Sequence, residues 1–298
     1  MSAELATGVL CMAYGSPASE ADIEDYYTHI RGGRKPSPES LEELQARYRA
    51  IGGSPLTAIT SAQAAAIGDR LRMPAFVGMK HASPFVADGA AAAEKAGVER
   101  LVGLPLAPHF AEMSLGAYQH SLEKAWPGKL LFIRGFHDHP AFIGAVQGLL
   151  SESLDESWPD RLFFTAHSLP ARIVEEGDGY YDRLLESCRL VEAGIKLPDW
   201  EFAFQSASIT GEPWLGPDLL SAIDKSGARD VLVCPIGFVA DHLEILYDLD
   251  VEAQAFAHSH DIKIRRTASF NTRPDFIAAM ADVVADALAR DMSKVEGR

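Results

Sequence analysis

The chain has 298 residues, of which 47% are hydrophobic and 9% aromatic, which suits one large globular domain or two of about 150 residues. Its formal charge of -15 disfavours binding to nucleic acids and to anionic membrane surfaces. No stretch approaches the roughly 20 apolar residues of a membrane-spanning helix. The apolar segment 5–13 lacks the basic residues of a secretory signal, because Arg31 is the first Lys or Arg. We therefore expect a cytoplasmic protein without a membrane span or a nucleic-acid partner.

The three cysteines, Cys11, Cys188 and Cys234, are far apart and show no CxxC spacing. Two of them lie inside apolar strand-like runs, where a cysteine usually behaves as a small core residue. Three scattered thiols argue against an all-cysteine iron–sulfur cluster and against a disulfide framework.

Short apolar runs alternate with longer amphipathic segments along the whole chain. The runs predict strands over residues 9–13, 75–79, 100–105, 130–134, 162–166, 201–205, 231–235 and 262–265. Apolar residues at helical spacing between them predict helices, for example over 41–50, 61–71, 182–193 and 276–288. Fully apolar strands separated by helices indicate an α/β protein with parallel sheets flanked by helices.

Two internal similarities indicate that this pattern is duplicated. Segment 12–17 ends the first strand much as segment 165–170 ends the fifth, and segment 94–97 with its following strand resembles segment 224–227 with its own. We therefore predict two similar Rossmann-like half-domains, residues 1–137 with a returning C-terminal helix in 270–298, and residues 138–269. Ligands of open α/β sheets bind beyond the carboxyl ends of the strands, which predicts a ligand cleft between the two halves.

His167 stands at the end of the fifth predicted strand, and Pro170 limits how the chain continues. An imidazole at such a strand end can act as a base near neutral pH or as a metal ligand. A lone histidine in this position is more often a hydrogen-bonded structural residue, so the position alone does not decide between these roles.

Glu244, Asp248 and Glu252 recur every four residues after the seventh predicted strand, which would align three carboxylates on one helical face. A solvated acidic face is the ordinary interpretation of such spacing. Here the carboxylates follow a buried strand, and like charges at this spacing would be relieved by a bound cation. Oxygen donors with some imidazole suit divalent ions such as Mg(II) or Fe(II).

Several motifs in order along the chain resemble the ferrochelatase family. The segment 162–170 with 176–181 is similar to one family signature, and segment 237–244 is similar to the second half of the family's active site. The resemblance covers nearly the whole chain and also includes segments 26–31, 47–48, 51–56 and 214–218. It implies a chelatase-like fold, with the porphyrin cleft between two half-domains, and insertion of Fe(II) into a porphyrin in heme synthesis.

The resemblance also implies roles for individual residues. His167 and Glu244 match the family's catalytic, iron-binding pair, and Tyr14 matches the axial iron ligand of the coproporphyrin-type enzymes. Asp248 and Glu252 match an acidic path toward the metal. The positions that hold the porphyrin correspond to Tyr14, Arg31, Arg47, Tyr48, Ser54 and Tyr118.

On this interpretation His167 takes up pyrrole protons and contacts the metal, and Glu244 accepts protons or guides the iron. Coproporphyrin III carries four carboxylates, which Arg31 and Arg47 could bind in an otherwise acidic protein. The polar run 31–36 stands where membrane-associated relatives carry an apolar lip, which favours coproporphyrin III over protoporphyrin IX. We expect no prosthetic group and no iron–sulfur cluster, with Fe(II) as substrate and an accessory Mg(II).

Other interpretations of the sequence remain open at this point. The substrate could be protoporphyrin IX, the metal could be cobalt or nickel with another tetrapyrrole, or the chain could be a non-catalytic porphyrin or heme carrier. Coproheme, the product of the favoured reaction, would pass to a downstream heme-pathway enzyme as partner. The chain lacks the GxGxxG and GxxxxGK[ST] nucleotide motifs. His81 and His109 also stand at strand ends, where packed or rim positions are the simpler expectation.

Overall fold

The structure is a computed structural model that describes residues 5–207 and 211–296. The chain divides into two compact units, Met1–Phe136 with Phe270–Arg298, and His137–Ser269. We call them unit 1 and unit 2 and describe each by itself.

Each unit contains one parallel sheet. The strands are β1 Thr7–Ala13, β2 Ala75–Met79, β3 Arg100–Pro105, β4 Lys129–Phe132, β5 Arg161–His167, β6 Trp200–Gln205, β7 Asp230–Cys234 and β8 Lys263–Arg266. Their order is β2-β1-β3-β4 in unit 1 and β6-β5-β7-β8 in unit 2, and the neighbouring strands of both sheets are parallel.

The strands alternate with helices, as expected when parallel strands need crossover connections. The α-helices are α1 Ile23–Ile30, α2 Pro38–Ala50, α3 Leu56–Leu71, α4 Val86–Lys95, α5 Ala117–Ala125, α6 Pro140–Glu156, α7 Arg172–Glu175, α8 Tyr180–Gly194, α9 Leu219–Ser226, α10 Leu243–Leu246, α11 Ala253–His260 and α12 Pro274–Glu296. A 3-10 turn covers Glu20–Asp22, and π-helical turns cover Glu112–Gly116 and Asp248–Glu252. These elements confirm the predicted fold class, two parallel sheets flanked by helices.

In unit 1, α4 and α5 bury their apolar faces on the central strand β1. The shared core contains Leu10 and Met12 of β1, Val86 of α4 and Leu122 of α5. Helix α3 packs on β1 and β2 and also on α12, which reaches β4. The C-terminal helix therefore belongs to the core of unit 1.

In unit 2, the segments after β7 pack on one face of the sheet. Ile245 of α10 and Leu249 of the π-helical turn are buried against Phe163 and Val233. Each fully buried side chain of this size contributes about 1.5–3 kcal/mol. Because Glu244 and Asp248 directly precede Ile245 and Leu249, the buried pair fixes the backbone that carries both carboxylates.

The helix after β7 is interrupted, whereas the four-residue spacing of its carboxylates predicts a continuous α-helix. Helix α10 has one turn, and the chain then widens, with the Glu252 N–H donating to the Tyr247 carbonyl at 2.9 Å. The core explains this change. The core buries four residues at four-residue intervals, Ile245, Leu249, Ala253 and Ala257. In a regular α-helix, each of these residues would be rotated by about 40° around the helix axis relative to the one before it. The wider π-helical turn offsets this rotation and keeps the four side chains on the same core.

All three cysteines are buried free thiols. Burial raises the pKa of both Cys11 and Cys234 to about 12. Such thiols are protonated and poorly nucleophilic at neutral pH. Within the described ranges, none of the helices is both long enough and apolar enough to cross a membrane.

Candidate active site

His167 closes β5 and presents its ring at the carboxyl end of the sheet in unit 2. The buried run from Leu162 to Ala166 precedes it, and the side chain of His167 is 31% exposed. Its Nδ1 forms a short hydrogen bond with the Ser168 carbonyl. A carbonyl only accepts, so Nδ1 carries the proton, and Nε2 is the atom left for chemistry.

Glu244 lies between two imidazoles. Its Oε1 is 3.4 Å from Nε2 of His167, and its Oε2 is 3.4 Å from Nε2 of His242. The Nδ1 of His242 donates to the Ala240 carbonyl at 2.9 Å, so this ring also turns Nε2 toward the carboxylate. The two imidazoles therefore face the two oxygens of one carboxylate.

This arrangement makes His167 and Glu244 an ion pair at neutral pH. Burial works to lower the pKa of His167, but the Glu244 carboxylate and the Ser168 carbonyl outweigh it and raise that pKa to about 9. Burial likewise works against a raised pKa for His242, and Glu244 again raises it. Burial works to raise the pKa of Glu244, yet the two imidazoles hold it well below its usual range.

Buried hydrogen bonds connect this ion pair to the sheet. Gln205, the last residue of β6, donates from Nε2 to the backbone carbonyl of Glu244 at 2.8 Å and accepts the hydroxyl of Thr165 at 2.8 Å. The Tyr180 hydroxyl donates to the carbonyl of His167 at 3.1 Å. Gln205 is 4% exposed, so both of these hydrogen bonds are shielded from water.

We expect Gln205→Leu to lower the free energy of unfolding by about 2–3 kcal/mol, because it leaves the Thr165 hydroxyl and the Glu244 carbonyl without this partner. Urea denaturation measures the loss. Gln147→Leu is the matched control in the same unit, since Gln147 donates to the carbonyls of Leu190 and Val191. Equal stability of Gln205→Leu and the unsubstituted protein would contradict the bridging role.

Asp248 lies beside the ion pair, and Glu252 lies farther along the same segment. The Asp248 carboxylate accepts a short hydrogen bond from the Ser206 hydroxyl and adds to the raised pKa of His167. Glu252 is exposed. The structure thus brings His167, Glu244 and Asp248 together, with Glu252 at the surface.

Arg266, at the end of β8, forms ion pairs with the segment that carries His242, Glu244 and Asp248. Its guanidinium contacts Asp250 through two ion-pair hydrogen bonds, of 2.7 and 2.8 Å, and reaches Asp241 at 3.4 Å. Ser269 also donates to Asp241, at 2.6 Å. Asp241 precedes His242, and Asp250 lies within the π-helical turn, so one arginine holds both sides of the segment.

In unit 1, Tyr14 directly follows β1 and is 40% exposed. Its carbonyl accepts the N–H of His81 at 2.9 Å, and the two rings lie 4.5 Å apart. The Lys80 ammonium lies 6.0 Å from the ring centre of Tyr14 and 5.7 Å from that of Tyr118. Tyr14 and Tyr118 therefore flank the same lysine at the end of β2.

His81 in turn contacts His29, with 3.0 Å between their Nδ1 atoms. Burial, aided by Lys80 and His29, lowers the pKa of His81 to about 4, so its ring is neutral at pH 7. Gly15, which follows Tyr14, has φ of +90°, and a Cβ there would lie 2.9 Å from that of Ala82. The turn after β1 thus requires glycine.

The remaining predicted porphyrin contacts occupy separate parts of α1 to α3. Arg31 follows α1, with its guanidinium 5.5 Å from the ring centre of Tyr27. Arg47 pairs with Glu43 at 2.9 Å, and Tyr48 is buried edge-on to Tyr26. The Ser54 hydroxyl accepts the N–H of Leu56, at 3.4 Å. A carboxylate ligand of Arg47 would therefore compete with Glu43.

Within the described ranges, no group of three or more His, Cys, Asp and Glu side chains is placed to hold a metal ion. Nε2 of His167 and the carboxylate of Glu244 nevertheless offer one nitrogen and one oxygen donor to a divalent cation. The pair can also exchange a proton, since an acid and a base of the same site lie side by side.

Sequence reasoning did not single out His242, Gln205 or Ser206. His242 belongs to the quoted segment 237–244, but only its extended backbone reveals that it turns back toward Glu244. Gln205 and Ser206 could have been found from register, because β6 pairs with β5 and places Gln205 opposite His167.

Comparison with known proteins agrees with this picture. The family model described as Ferrochelatase matches residues 6–288. The "Ferrochelatase" of Herpetosiphon aurantiacus is 38% identical and covers 93% of this chain and 98% of its own. The "Coproporphyrin III ferrochelatase" of Bacillus subtilis is 39% identical and covers 95% of this chain and 98% of its own.

Two solved structures share the fold at low sequence identity. SirB from Bacillus subtilis with Fe3+ has a TM-score of 0.63 at 11% identity and covers 96% of this chain and 97% of its own. CbiX, described as the terminal enzyme for biosynthesis of siroheme in denitrifying bacteria, has a TM-score of 0.59 at 13% identity and covers 94% of this chain and 99% of its own.

Proposed function

Because the chain belongs to the ferrochelatase family, we propose that it inserts Fe(II) into coproporphyrin III to give coproheme in heme synthesis. The observation that carries this proposal is the ion pair of His167 and Glu244 at the carboxyl end of β5 and the start of α10, with Nε2 facing the carboxylate at 3.4 Å.

The reaction requires the porphyrin to lose two pyrrole N–H protons while the iron sheds water and binds the four nitrogens. Glu244 is the anionic group that the hydrated cation meets, and Asp248 adds negative charge beside it. A general base in such a step is worth about 10²–10⁴-fold in rate. His167 is the base, through Nε2, because Nδ1 is committed to the Ser168 carbonyl.

The resting ion pair sets an order for these events. His167 is protonated near neutral pH, so its Nε2 cannot take up a pyrrole proton in that state. A cation at Glu244 replaces the imidazolium as partner of the carboxylate and lowers the pKa of His167. The Nε2 proton then leaves, and the lone pair becomes available to a pyrrole N–H.

This order has a pH signature. We expect the KM for Fe(II) to fall by about tenfold per pH unit as the pH rises from 7 toward 8.5, since iron must displace one proton from His167. Anaerobic initial rates with Fe(II) varied at saturating porphyrin measure it, and the KM for porphyrin over the same range is the internal control. A KM for Fe(II) that does not change with pH would rule out displacement of this proton.

Three observations support coproporphyrin III as the substrate. Relatives at 37–40% identity over at least 93% of this chain bear that name. Tyr14 is exposed at the end of β1, where it can serve as the axial tyrosinate of the product. Arg31 and Arg34 are exposed in a polar run that suits a substrate with four carboxylates. Asp248 and Glu252 form the acidic path, and an accessory Mg(II) there remains a prediction.

The proposed reaction also has consequences for cofactors, location and the fate of the product. The reaction needs no prosthetic group, because iron is a substrate, and a cytoplasmic location suits a polar porphyrin. The product keeps its four carboxylates, so a later enzyme of heme synthesis must receive coproheme as its own substrate.

The experiment is a competition between coproporphyrin III and protoporphyrin IX under anaerobic conditions, with Fe(II) and the purified protein. We expect the free-base absorbance of coproporphyrin III to disappear at least about tenfold faster, because two extra carboxylates add charge-assisted contacts. Preference for protoporphyrin IX would keep the family's chemistry and overturn the substrate. Tight binding of both porphyrins without insertion would indicate a carrier.

A further inference from the structure

Arg134 presents an exposed guanidinium at the carboxyl end of β4 in unit 1. The residue stands two positions after β4, and its side chain is 59% exposed. The guanidinium lies over the ring of Phe110, 4.0 Å from the ring centre. The Glu112 carboxylate is 3.7 Å away, which is too long for a hydrogen bond. Among the described residues, no group accepts a hydrogen bond from this guanidinium, so its N–H groups are available to an anion.

The backbone around Gly135 keeps Arg134 on Phe110. The N–H of Phe136 donates to the carbonyl of Pro108 at 2.9 Å, and a Cβ at Gly135 would lie 2.8 Å from that carbonyl oxygen. The segment after β4 therefore lies directly against the segment that leads to Phe110. The ring of Phe110 is buried and forms a fixed platform. A guanidinium that is already stacked on such a ring loses less freedom when it binds a carboxylate.

The sheet order relates Arg134 to the proposed porphyrin site. Ligands of parallel sheets bind beyond the carboxyl ends of the strands, and Tyr14 follows the carboxyl end of β1. Only β3 lies between β1 and β4, so these two strands are about 10 Å apart. Arg31 and Arg47 belong to the connection from β1 to the edge strand β2. Arg134 follows the opposite edge strand and supplies a basic group at the other edge of the sheet.

We propose that Arg134 determines specificity for coproporphyrin III, because it binds one of the carboxylates that protoporphyrin IX lacks. This inference rests on the proposed function. Coproporphyrin III carries one carboxylate on each of its four pyrrole rings, whereas protoporphyrin IX carries two, on adjacent rings. The two carboxylates of protoporphyrin IX leave the same side of the macrocycle and reach basic groups on one side only. A tetracarboxylate also reaches the other side, where a guanidinium can bind a carboxylate through two N–H groups.

The charges near Arg134 favour this contact. The chain has a formal charge of -15, so a substrate with four carboxylates depends on local cations. The pair of Arg134 and Glu112 is exposed on both sides and lacks a hydrogen bond. Exposed pairs of this kind contribute little, so a substrate carboxylate displaces no strong contact of Arg134.

Binding of the two porphyrins to Arg134→Gln tests the inference. Quenching of porphyrin fluorescence, in the absence of iron, measures each Kd. We expect the Kd for coproporphyrin III to rise by about fivefold to tenfold, since a charge-assisted contact is lost. The Kd for protoporphyrin IX should change by less than about twofold. Arg70→Gln is the matched control, because Arg70 is exposed in the last turn of α3, which leads to the amino end of β2.

Arg134→Lys separates the planar contact from the charge. Lysine keeps the charge but cannot present two parallel N–H groups to a carboxylate. We expect the Kd for coproporphyrin III to rise by about twofold to threefold, between the unsubstituted protein and Arg134→Gln. A Kd for this porphyrin in Arg134→Lys that equals or exceeds the one in Arg134→Gln would contradict a role of the charge.

The outcomes distinguish this inference from the proposed function. An unchanged Kd for coproporphyrin III in Arg134→Gln, or an equal rise for both porphyrins, would overturn the role of Arg134. An unsubstituted protein that binds coproporphyrin III without inserting iron would count against the proposed function, and the Kd comparison would still decide the role of Arg134. Failure of the unsubstituted protein to bind coproporphyrin III would overturn both.

Discussion

Replacement of His167 by alanine is expected to lower the rate of iron insertion by about 10²–10⁴-fold while the protein still binds porphyrin. The physical reason is that Nε2 of His167 is the atom that receives a pyrrole proton, since Nδ1 donates to the Ser168 carbonyl. Single-turnover absorbance measures the rate, and quenching of porphyrin fluorescence measures binding.

The matched control for this variant is His258→Ala. His258 is exposed on α11 in the same unit, so its loss tests for a general effect of removing a histidine. Insertion at the unsubstituted rate by His167→Ala would remove His167 from the reaction. Loss of porphyrin binding together with insertion would instead assign His167 to substrate binding.

The second large effect is expected for Glu244→Gln, which keeps the shape of the side chain and removes its charge. The pKa of His167 should fall from about 9, because the Glu244 carboxylate is what opposes the effect of burial. NMR titration of the imidazole signals measures this shift. Iron insertion should fall by about 10²–10³-fold, since the carboxylate also meets the cation.

The same variant tests the contribution of the ion pair to stability. A raised pKa stabilises the fold below pH 6.5, the ordinary pKa of histidine, and this contribution of His167 is lost as the pH rises through about 9. The lowered pKa of Glu244 stabilises the fold above its ordinary value of 4.5, and that contribution is lost as the pH falls.

We therefore expect Glu244→Gln to lower the free energy of unfolding by about 1–2 kcal/mol between pH 4.5 and 6.5, and by less at pH 9.5. Urea denaturation at pH 5.5 and pH 9.5 makes the comparison. A loss of stability that is larger at pH 9.5 than at pH 5.5 would show that the pair is not charged as the structure indicates.

The strands could be predicted from sequence because both sheets are buried on both faces. Continuous apolar runs such as the one in β5 mark the strand positions, and all eight strands lie within two residues of their predicted bounds. The strand ends do not follow from hydropathy, because hydrogen bonding decides where each strand stops. His167 is paired as the last residue of β5, although it is polar.

The widened turn at Asp248–Glu252 was beyond the reach of sequence reasoning. A four-residue spacing of carboxylates predicts a continuous α-helix, and only the burial of Leu249 and Ala253 on the same core reveals the wider turn. The residues of the candidate site divide in a similar way. His167 and Glu244 belong to recognisable motifs, whereas Gln205 depends on the pairing of β6 with β5, and His242 on an extended segment that turns its ring toward Glu244.

Iron insertion itself can be followed in an anaerobic single-turnover experiment with coproporphyrin III, Fe(II) and the purified protein, monitored by absorbance and by a pH indicator. We predict loss of the free-base porphyrin spectrum together with release of two protons for each iron inserted, as the exchange of two N–H bonds for iron requires. An unchanged free-base spectrum of bound porphyrin, under conditions in which an authentic ferrochelatase completes the reaction, would contradict it.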